Sequence, residues 1–253
     1  MSTVRLPDAA WAKILKFLRS EQHLYSGNES KIRRFIEAFV WITRSGSQWR
    51  LLPETFGRWN SVYKRFARWE QRGVWARMLT HFAGDPDLEN LVLDSTTVRA
   101  HPCAAGASKQ KGGQAAQALG RSAGGFSTKI HISVDGLGNP LRVRLTGGER
   151  HDSTQAPDLI ADLAFERVIA DRSYAAASFI ALIHQQGAEA VIPPHPRAHA
   201  QRAYDKWLYR ERHLVECFIN KIKHFRRVFS RFDKLGPRYL AFVQFASALI
   251  WLR

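Results

Sequence analysis

Two short apolar segments of the chain each end in an aspartate. Residues 91–93 run into Asp94, and residues 168–170 run into Asp171. An unpaired carboxylate beside a buried strand is costly, and open α/β sheets place their ligands at the carboxyl ends of their strands. One such aspartate caps a turn as readily as it serves a site. Two aspartates with the same local pattern favour a shared site.

A third group of candidate site residues lies within residues 205–229, where the apolar residues have helical spacing. On a helical wheel of about 100° per residue, one narrow polar stripe carries a phenol, two cations and a carboxylate, opposite an apolar side. The alternative is an ordinary solvent-exposed face with an ion pair between Arg212 and Glu216 at four-residue spacing. The stripe consists of Tyr209, Arg212, Glu216 and Lys223.

The elements that must position these residues follow two periodicities. Three early segments have apolar residues at three- and four-residue spacing, which predicts helices over 7–19, 30–43 and 60–72. Later segments predict strands at 91–93, 128–134, 141–145, 168–170 and 190–192, and helices at 153–164 and 175–186. A turn-rich hairpin over 135–140 joins the second and third strands. This order predicts an α/β fold with a mixed sheet flanked by helices, preceded by a small all-helical region.

Composition changes near residue 85, because six of the eight tryptophans lie in the first 75 residues. We therefore predict a helical domain over residues 1–84 and an α/β domain over residues 85–253. Within the second domain, residues 101–125 have almost no apolar bulk, which predicts a flexible basic loop. Its cations make phosphate contact plausible, with a solvated connection as the alternative. These cations are Lys109, Lys111 and Arg121.

The overall charge restricts the class of partner. Lys and Arg number 38 and Asp and Glu number 22, for a formal charge of +16, which indicates a polyanion such as nucleic acid or anionic lipid. Lipid is the weaker candidate, because the basic residues spread over both domains and the longest apolar run, 240–252, is too short for a bilayer span. Two cysteines exclude a disulfide framework. We expect a cytoplasmic protein that binds nucleic acid.

The third predicted helix, residues 60–72, is the candidate for DNA recognition in the helical domain. Lys64, Arg65 and Arg68 are spaced along one side of it. The first 82 residues carry 15 Lys and Arg against 6 Asp and Glu. This predicts a DNA-binding domain of helix-turn-helix type. A solvated polar face on an aromatic-rich helical bundle is the alternative.

Several segments together resemble bacterial insertion-sequence transposases of the DDE class, specifically the insertion-sequence-five group. The spacing Tyr209-x2-Arg212-x3-Glu216-x6-Lys223 resembles the signature around that family's catalytic glutamate. Similar segments are LDSTTVRAH at 93–101, GQ at 113–114, GRSxGGFSTKIH at 120–131, ADRSY at 170–174 and GxxWRxLPxxFGxWN at 46–60. The resemblance covers nearly the whole chain.

The resemblance implies an RNase H-like catalytic domain whose acidic triad falls on Asp94, Asp171 and Glu216. These carboxylates would hold Mg²⁺ or Mn²⁺, with two ions expected and Asp94 as the bridging ligand. Tyr209, Arg212 and Lys223 take the auxiliary positions, and the two cations suit the phosphates beside the scissile bond. The chain departs from the family where Ala175 follows Tyr174, since Asp or Gly is usual there.

The implied function is that of a DNA transposase that binds the terminal inverted repeats of its insertion sequence and catalyses metal-dependent strand cleavage and strand transfer. It would act on double-stranded DNA as a homodimer in the bacterial nucleoid, without a membrane. Two alternatives stay open: a decayed or co-opted transposase that binds DNA as a repressor or architectural factor, and an RNase H-like nuclease that cuts without joining. His101 and His131 are predicted to make structural or DNA contacts.

Overall fold

The computed structural model of the chain describes residues 5–22, 24, 28–107, 113, 115–122, 124–197 and 202–252. The described N-terminal region is helical, as predicted. Asn28 caps the second helix by accepting a hydrogen bond from the Lys31 N–H at 2.9 Å, and Gly46 ends it at a left-handed φ of +68°. The fourth helix lies in a segment for which no separate helix was predicted. The helices are α1 (Asp8–Ser20), α2 (Glu29–Ser45), α3 (Trp59–Gln71) and α4 (Val74–Phe82).

A mixed sheet follows. Its strands are β1 (Asn90–Arg99), β2 (Gly120–Ser122), β3 (Gly125–Val134), β4 (Pro140–Gly147), β5 (Arg167–Ile169) and β6 (Glu189–Val191). β3 pairs antiparallel with β1, β2 and β4, whereas β1 pairs parallel with β5 and β5 with β6. The predicted hairpin joins β3 to β4, and the Asp135 carboxylate accepts the N–H groups of Leu137 and Asn139 inside it. The fold is RNase H-like, with helices on both faces of the sheet.

The remaining helices are α5 (Ala156–Ile160), α6 (Ala177–Gln185), α7 (His213–Lys223), α8 (Arg226–Phe229) and α9 (Gly236–Trp251). Two predicted helices were too long. The one over 153–164 is a 3-10 turn followed by the short α5, and Asp162 beyond it has a φ of +53°. The one over 205–229 begins with a 3-10 helix at Leu208–Arg212 and breaks at Phe225, which is extended and buried, so that α7 and α8 are separate. No helix in the described part of the chain is long and apolar enough to cross a membrane.

The N-terminal helices and the sheet share one hydrophobic core through α9. The ring of Phe39 on α2 lies 5.0 Å from that of Phe242 and 4.5 Å from that of Phe245, and Trp75 on α4 lies 5.2 Å from Phe245. The same cluster includes residues of β1, β3 and α7. A second cluster fills the other face of the sheet under α5 and α6. The domain boundary near residue 84 therefore stays a prediction, because packing is continuous across it.

The segment 101–125 is more ordered than a loop in its described part. β2 pairs with the start of β3, and Ala104 and Leu119 are buried in a small cluster with Ala100. Gln117 is also buried, and its side-chain carbonyl accepts the Gly236 N–H at 2.9 Å. The segment predicted as a flexible basic loop thus contains a strand and several buried residues in its described part.

Candidate active site

Asp94 lies on β1, and Asp171 follows the end of β5, the neighbouring parallel strand. Val92 on β1 pairs with Ile169 at the end of β5, and each aspartate comes two residues later along the chain. Asp94 projects toward the face on which Val92 is buried, because side chains alternate between the faces of a sheet, and Asp171 is near enough for its charge to raise the pKa of the Asp94 carboxyl. The two predicted strand ends therefore bring two carboxylates to one edge of one face.

Glu216 comes to the same edge from α7, which packs on this face of the sheet. Its buried residues are Val215, Phe218, Ile219 and Ile222. The Glu216 side chain projects from the border of this apolar stripe and remains 49% exposed. The helix is thus fixed by its apolar face while its carboxylate stays open to solvent beside the strand ends.

One guanidinium joins two of the three carboxylates. Arg212 Nη1 donates to Asp94 Oδ2 at 2.9 Å, and Arg212 Nη2 donates to Glu216 Oε1. The ion pair between Arg212 and Glu216 that was weighed as the alternative therefore exists, but it joins the end of a 3-10 helix (Leu208–Arg212) to α7 and is part of a larger group. Within the described residues, no three acidic, His or Cys side chains are close enough together to hold a metal ion as they stand, and Arg212 lies between two of the three acids.

The charges of the group affect each other. Burial raises the pKa of the Asp94 carboxyl, the Ser95 N–H and Arg212 oppose this rise, and the charges of Asp171 and Glu216 add to it. Burial alone would lower the pKa of Arg212, but the carboxylates of Asp94 and Glu216 raise it above its usual value. The site thus concentrates negative charge that a cation must balance.

The carboxylate oxygens fit a hard divalent cation. The oxygens of Asp94, Asp171 and Glu216 are of the type that Mg²⁺ and Mn²⁺ prefer. Asp171 is held in place by the N–H of Ser173, which it accepts at 2.9 Å, and by the Ser173 hydroxyl. Arg212 is itself a cation held between two of these acids, which demonstrates the attraction of this position for positive charge.

The auxiliary residues lie around the acids. Tyr209 is half-buried, and burial together with the charge of Asp171 raises the pKa of its phenol. Its ring makes an edge contact with Tyr204, at 5.6 Å between centroids. Lys223 is the last residue of α7 and lies about 10 Å along the helix from Glu216, on the same side. Ala175 has an ordinary φ of −77°, so the departure from the family pattern needs no glycine here.

A second polar group, which no local pattern predicted, lies on the opposite face of β1. Asp152 directly precedes the predicted helix over 153–164, and its Oδ1 accepts from Ser95 Oγ at 2.7 Å and from Lys129 Nζ at 2.6 Å. Tyr174 is fully buried beside it, and its hydroxyl has no hydrogen-bond partner in the described part of the chain. Burial raises the pKa of this phenol, and the charges of Asp152 and Asp94 add to the rise. The second group therefore lies directly behind the acidic site.

The two histidines have structural contacts. His131 is fully buried, and its Nε2 lies 2.8 Å from the Thr146 hydroxyl. Burial lowers the pKa of His131 to about 4, so the ring is neutral near pH 7. His101 is exposed and caps a 3-10 turn by accepting the Cys103 N–H.

The remaining predicted DNA contacts are separate from the acids. Lys64 and Arg68 are exposed on α3, whereas Arg65 is half-buried with its guanidinium carbon 5.2 Å from the Phe35 ring centroid. Arg121 is exposed on β2 and lies over the ring of Phe126 at 4.8 Å. Lys109 and Lys111 lie outside the described residues.

Comparisons with known proteins agree with this geometry. Residues 85–237 match a family model described as "Transposase DDE domain", and residues 6–79 match "Putative transposase of IS4/5 family". A "Putative transposase for insertion sequence element IS6501" from Brucella ovis is 40% identical over 130 residues, which are 51% of this chain and 100% of that protein. Protein y4sN of Sinorhizobium fredii is 42% identical over 120 residues, 47% of this chain and 96% of that one.

A solved structure shares the fold. The chain aligns over its full length with 71% of a piggyBac transposase, determined in a synaptic complex with hairpin DNA, at a TM-score of 0.53 and 10% identity. At that identity the likeness concerns the fold alone. The family model spans more than half of the chain, and all three acids of the site lie within it. The chain therefore belongs to the transposases with a DDE domain.

Proposed function

We propose that this transposase binds the terminal inverted repeats of its insertion sequence and catalyses metal-dependent cleavage and strand transfer of double-stranded DNA. The observation that supports this most is the meeting of Asp94, Asp171 and Glu216 at one edge of the sheet. Their chain separation is large, but β1, β5 and α7 bring them together.

Asp94, Asp171 and Glu216 are the side chains that would hold the divalent metal ions. When bound, Mg²⁺ or Mn²⁺ would neutralise charge on the attacking and leaving oxygens of the phosphodiester. Asp94 is oriented by the Ser95 N–H at 2.7 Å and Asp171 by the Ser173 N–H. These backbone contacts fix the carboxylates before DNA arrives, which lowers the cost of assembling the site.

Three side chains are proposed to hold the DNA near the scissile phosphate. Arg212 can exchange its carboxylate partners for a phosphate, and its planar guanidinium suits two parallel hydrogen bonds. Lys223 lies further along α7 and supplies a point charge for a neighbouring phosphate. Tyr209 offers a phenol at the border of the site. In the cleavage step, water would attack the phosphodiester, and the P–O bond to the 3′-oxygen would break to release a DNA 3′-hydroxyl. In the joining step, that 3′-hydroxyl would attack a phosphodiester of the target and displace the 3′-oxygen of the target strand.

Strand chemistry on a plasmid that carries the element's ends tests this proposal. The full-length protein should cut and join DNA with Mg²⁺, and Asp94→Asn should abolish both reactions while DNA affinity stays equal or rises, because a negative charge near the phosphate is lost. Asp158→Asn is the matched control, since Asp158 is an exposed acid on α5 behind the sheet. Equal inactivation of the control would contradict the assignment.

The same assay separates the alternatives. Cutting without joining would indicate an RNase H-like nuclease. Tight binding of the ends by an active-site-intact protein that neither cuts nor joins would indicate a decayed or co-opted DNA-binding protein.

Assembly is a further part of the proposal. Two DNA ends must be processed together, so we propose a homodimer on DNA, in the nucleoid of a bacterial cell, with the N-terminal helices contacting the repeats. Mass photometry with and without end DNA measures this directly. A complex that contains one protein chain per two ends would refute the dimer.

A further inference from the structure

A cleft of about 230 Å³ between α2 and α3 is lined by four cations and by no acidic residue. Phe35 and Val62 are among its apolar lining residues. The cleft belongs to the N-terminal helical region, on different elements from the carboxylates of the candidate active site. Its cations are Lys31, Arg34, Arg58 and Arg65.

Helical spacing explains why the cations meet. On α2, Lys31 and Arg34 are three residues apart and so share one face of the helix. On α3 and its N-cap, Arg58 and Arg65 are seven residues apart, two turns along the same face. Packing of the two helices turns these faces toward each other. Like charges in such an arrangement repel, so the free protein carries a cost that a bound anion would remove.

Arg65 differs from an ordinary surface cation because it is partly buried. Its side chain is half-buried against Phe35, and burial lowers the pKa of its guanidinium, with the charge of Arg68 adding to this effect. Buried charges are normally paired with an opposite charge. The nearby Arg33 and Arg238 follow this rule with Glu37 and Glu70. No ion pair within the described residues includes any of the four cleft cations.

We propose that this cleft binds a phosphate of the DNA backbone, with Arg65 at its base and Lys31, Arg34 and Arg58 around it. Guanidinium groups match phosphate oxygens geometrically, and the Ser61 hydroxyl in the lining is a further donor. A phosphate contact positions DNA and adds affinity without choosing its sequence. The inference rests on the proposed DNA-binding function and places one of its contacts.

The first helix supplies matched controls. Lys13 and Lys16 are exposed cations on α1 that do not line the cleft. Arg65→Met, Lys13→Met and Lys16→Met each remove one positive charge and keep an unbranched apolar stem. Arg65 is half-buried, so its substitution could also disturb the core. A double variant that carries Lys31→Met and Arg34→Met changes only exposed residues and tests the cleft without that effect.

The experiment measures fluorescence anisotropy of a labelled duplex of mixed sequence with the full-length protein at several NaCl concentrations. Loss of one phosphate contact removes about 0.9 from the salt exponent, so the affinity ratio of wild type to Arg65→Met should shrink about 3.5-fold between roughly 50 and 200 mM salt. The Lys31/Arg34 double variant should behave likewise, whereas the two controls should keep the wild-type slope. Equal slopes for Arg65→Met and wild type, or equal losses in the controls, would overturn the proposal.

Two further arms separate the outcomes. In anion-poor buffer, Arg65→Met should melt at or above the wild-type temperature, because an unpaired charge has been removed; a lower melting temperature together with weaker binding would mean that Arg65 is structural and overturn the proposal. Melting in the presence of inorganic phosphate tests whether the cleft is a site for small anions only. The proposal would also be overturned if phosphate raised the melting temperature saturably in wild type but not in Arg65→Met, while both proteins bound DNA equally well. If wild type shows no DNA binding at all, the proposed function itself fails, a result distinct from failure of the cleft alone.

Discussion

Arg212 holds the position that a metal ion would share with Asp94 and Glu216, so its removal should make the metal bind more tightly. In the protein without DNA, the guanidinium donates to both carboxylates. Any divalent cation must first displace it. We therefore expect Arg212→Ala to raise the affinity for Mn²⁺ in the absence of DNA.

The structure sets the size of this effect. The contact to Asp94 joins side chains that are 25% and 18% exposed, and a hydrogen bond to a charged group contributes about 1.5 kcal/mol at the low end. The contact to Glu216 is an i,i+4 pair with a half-exposed carboxylate, which contributes about 0.4 kcal/mol. Together they amount to about 2 kcal/mol, which corresponds to a roughly 30-fold gain in Mn²⁺ affinity.

Electron paramagnetic resonance of free Mn²⁺ measures this affinity without relying on catalysis. Arg210→Ala is the matched control, because Arg210 is an exposed cation two residues away that lies over the Trp207 ring. The control reports the general gain from losing one positive charge nearby. If Arg212→Ala binds Mn²⁺ no more tightly than Arg210→Ala does, the guanidinium does not compete with the metal and the reasoning is refuted.

Three other predictions follow from the same structure. The first concerns His131, whose pKa of about 4 in the folded protein lies below the ordinary value of 6.5. The fold therefore favours the neutral ring, and stability is lost as the pH falls. Urea unfolding should show a loss of about 2 kcal/mol between pH 7.5 and 5, and this loss should be absent in His131→Gln. Phe242→Ala should cost about 3–5 kcal/mol, and calorimetry should retain one transition because Phe242 packs against N-terminal rings; two separate transitions would contradict the shared core. Lys223→Ala should lower the salt exponent of DNA binding by about 0.9 without changing Mn²⁺ affinity, and an unchanged exponent would remove Lys223 from the DNA path.

The sequence predicted most elements because their apolar patterns were local. The five predicted strands are confirmed, and so are the first three helices, since alternation and helical spacing are visible within each segment. β2 was missed because Gly120–Ser122 has no apolar residue that could show an alternating pattern, and its pairing with β3 is not visible in the sequence. The helix over 205–229 was predicted as one piece because its periodicity continues through Phe225, whereas the backbone forms a 3-10 helix at Leu208–Arg212 and is extended at Phe225.

The candidate site was only partly visible in the sequence. Strand-end aspartates pointed to Asp94 and Asp171, and the helical wheel placed Glu216 on a polar stripe. Their proximity depends on the parallel pairing of β1 with β5, which no local pattern encodes. Asp152 was missed for the same reason, since its partner Ser95 lies 57 residues away in the chain.

The apolar contacts that fold the protein also set the distances within the site. Val92 and Ile169 precede the two aspartates by two residues and belong to the same core as the buried face of α7. A change in packing at that face would move Glu216 relative to both strands. Because misplacement by about 1 Å can cost about 100-fold in rate, a substitution there would reduce catalysis before it unfolded the protein. Packing in the core therefore determines the relative positions of the three carboxylates.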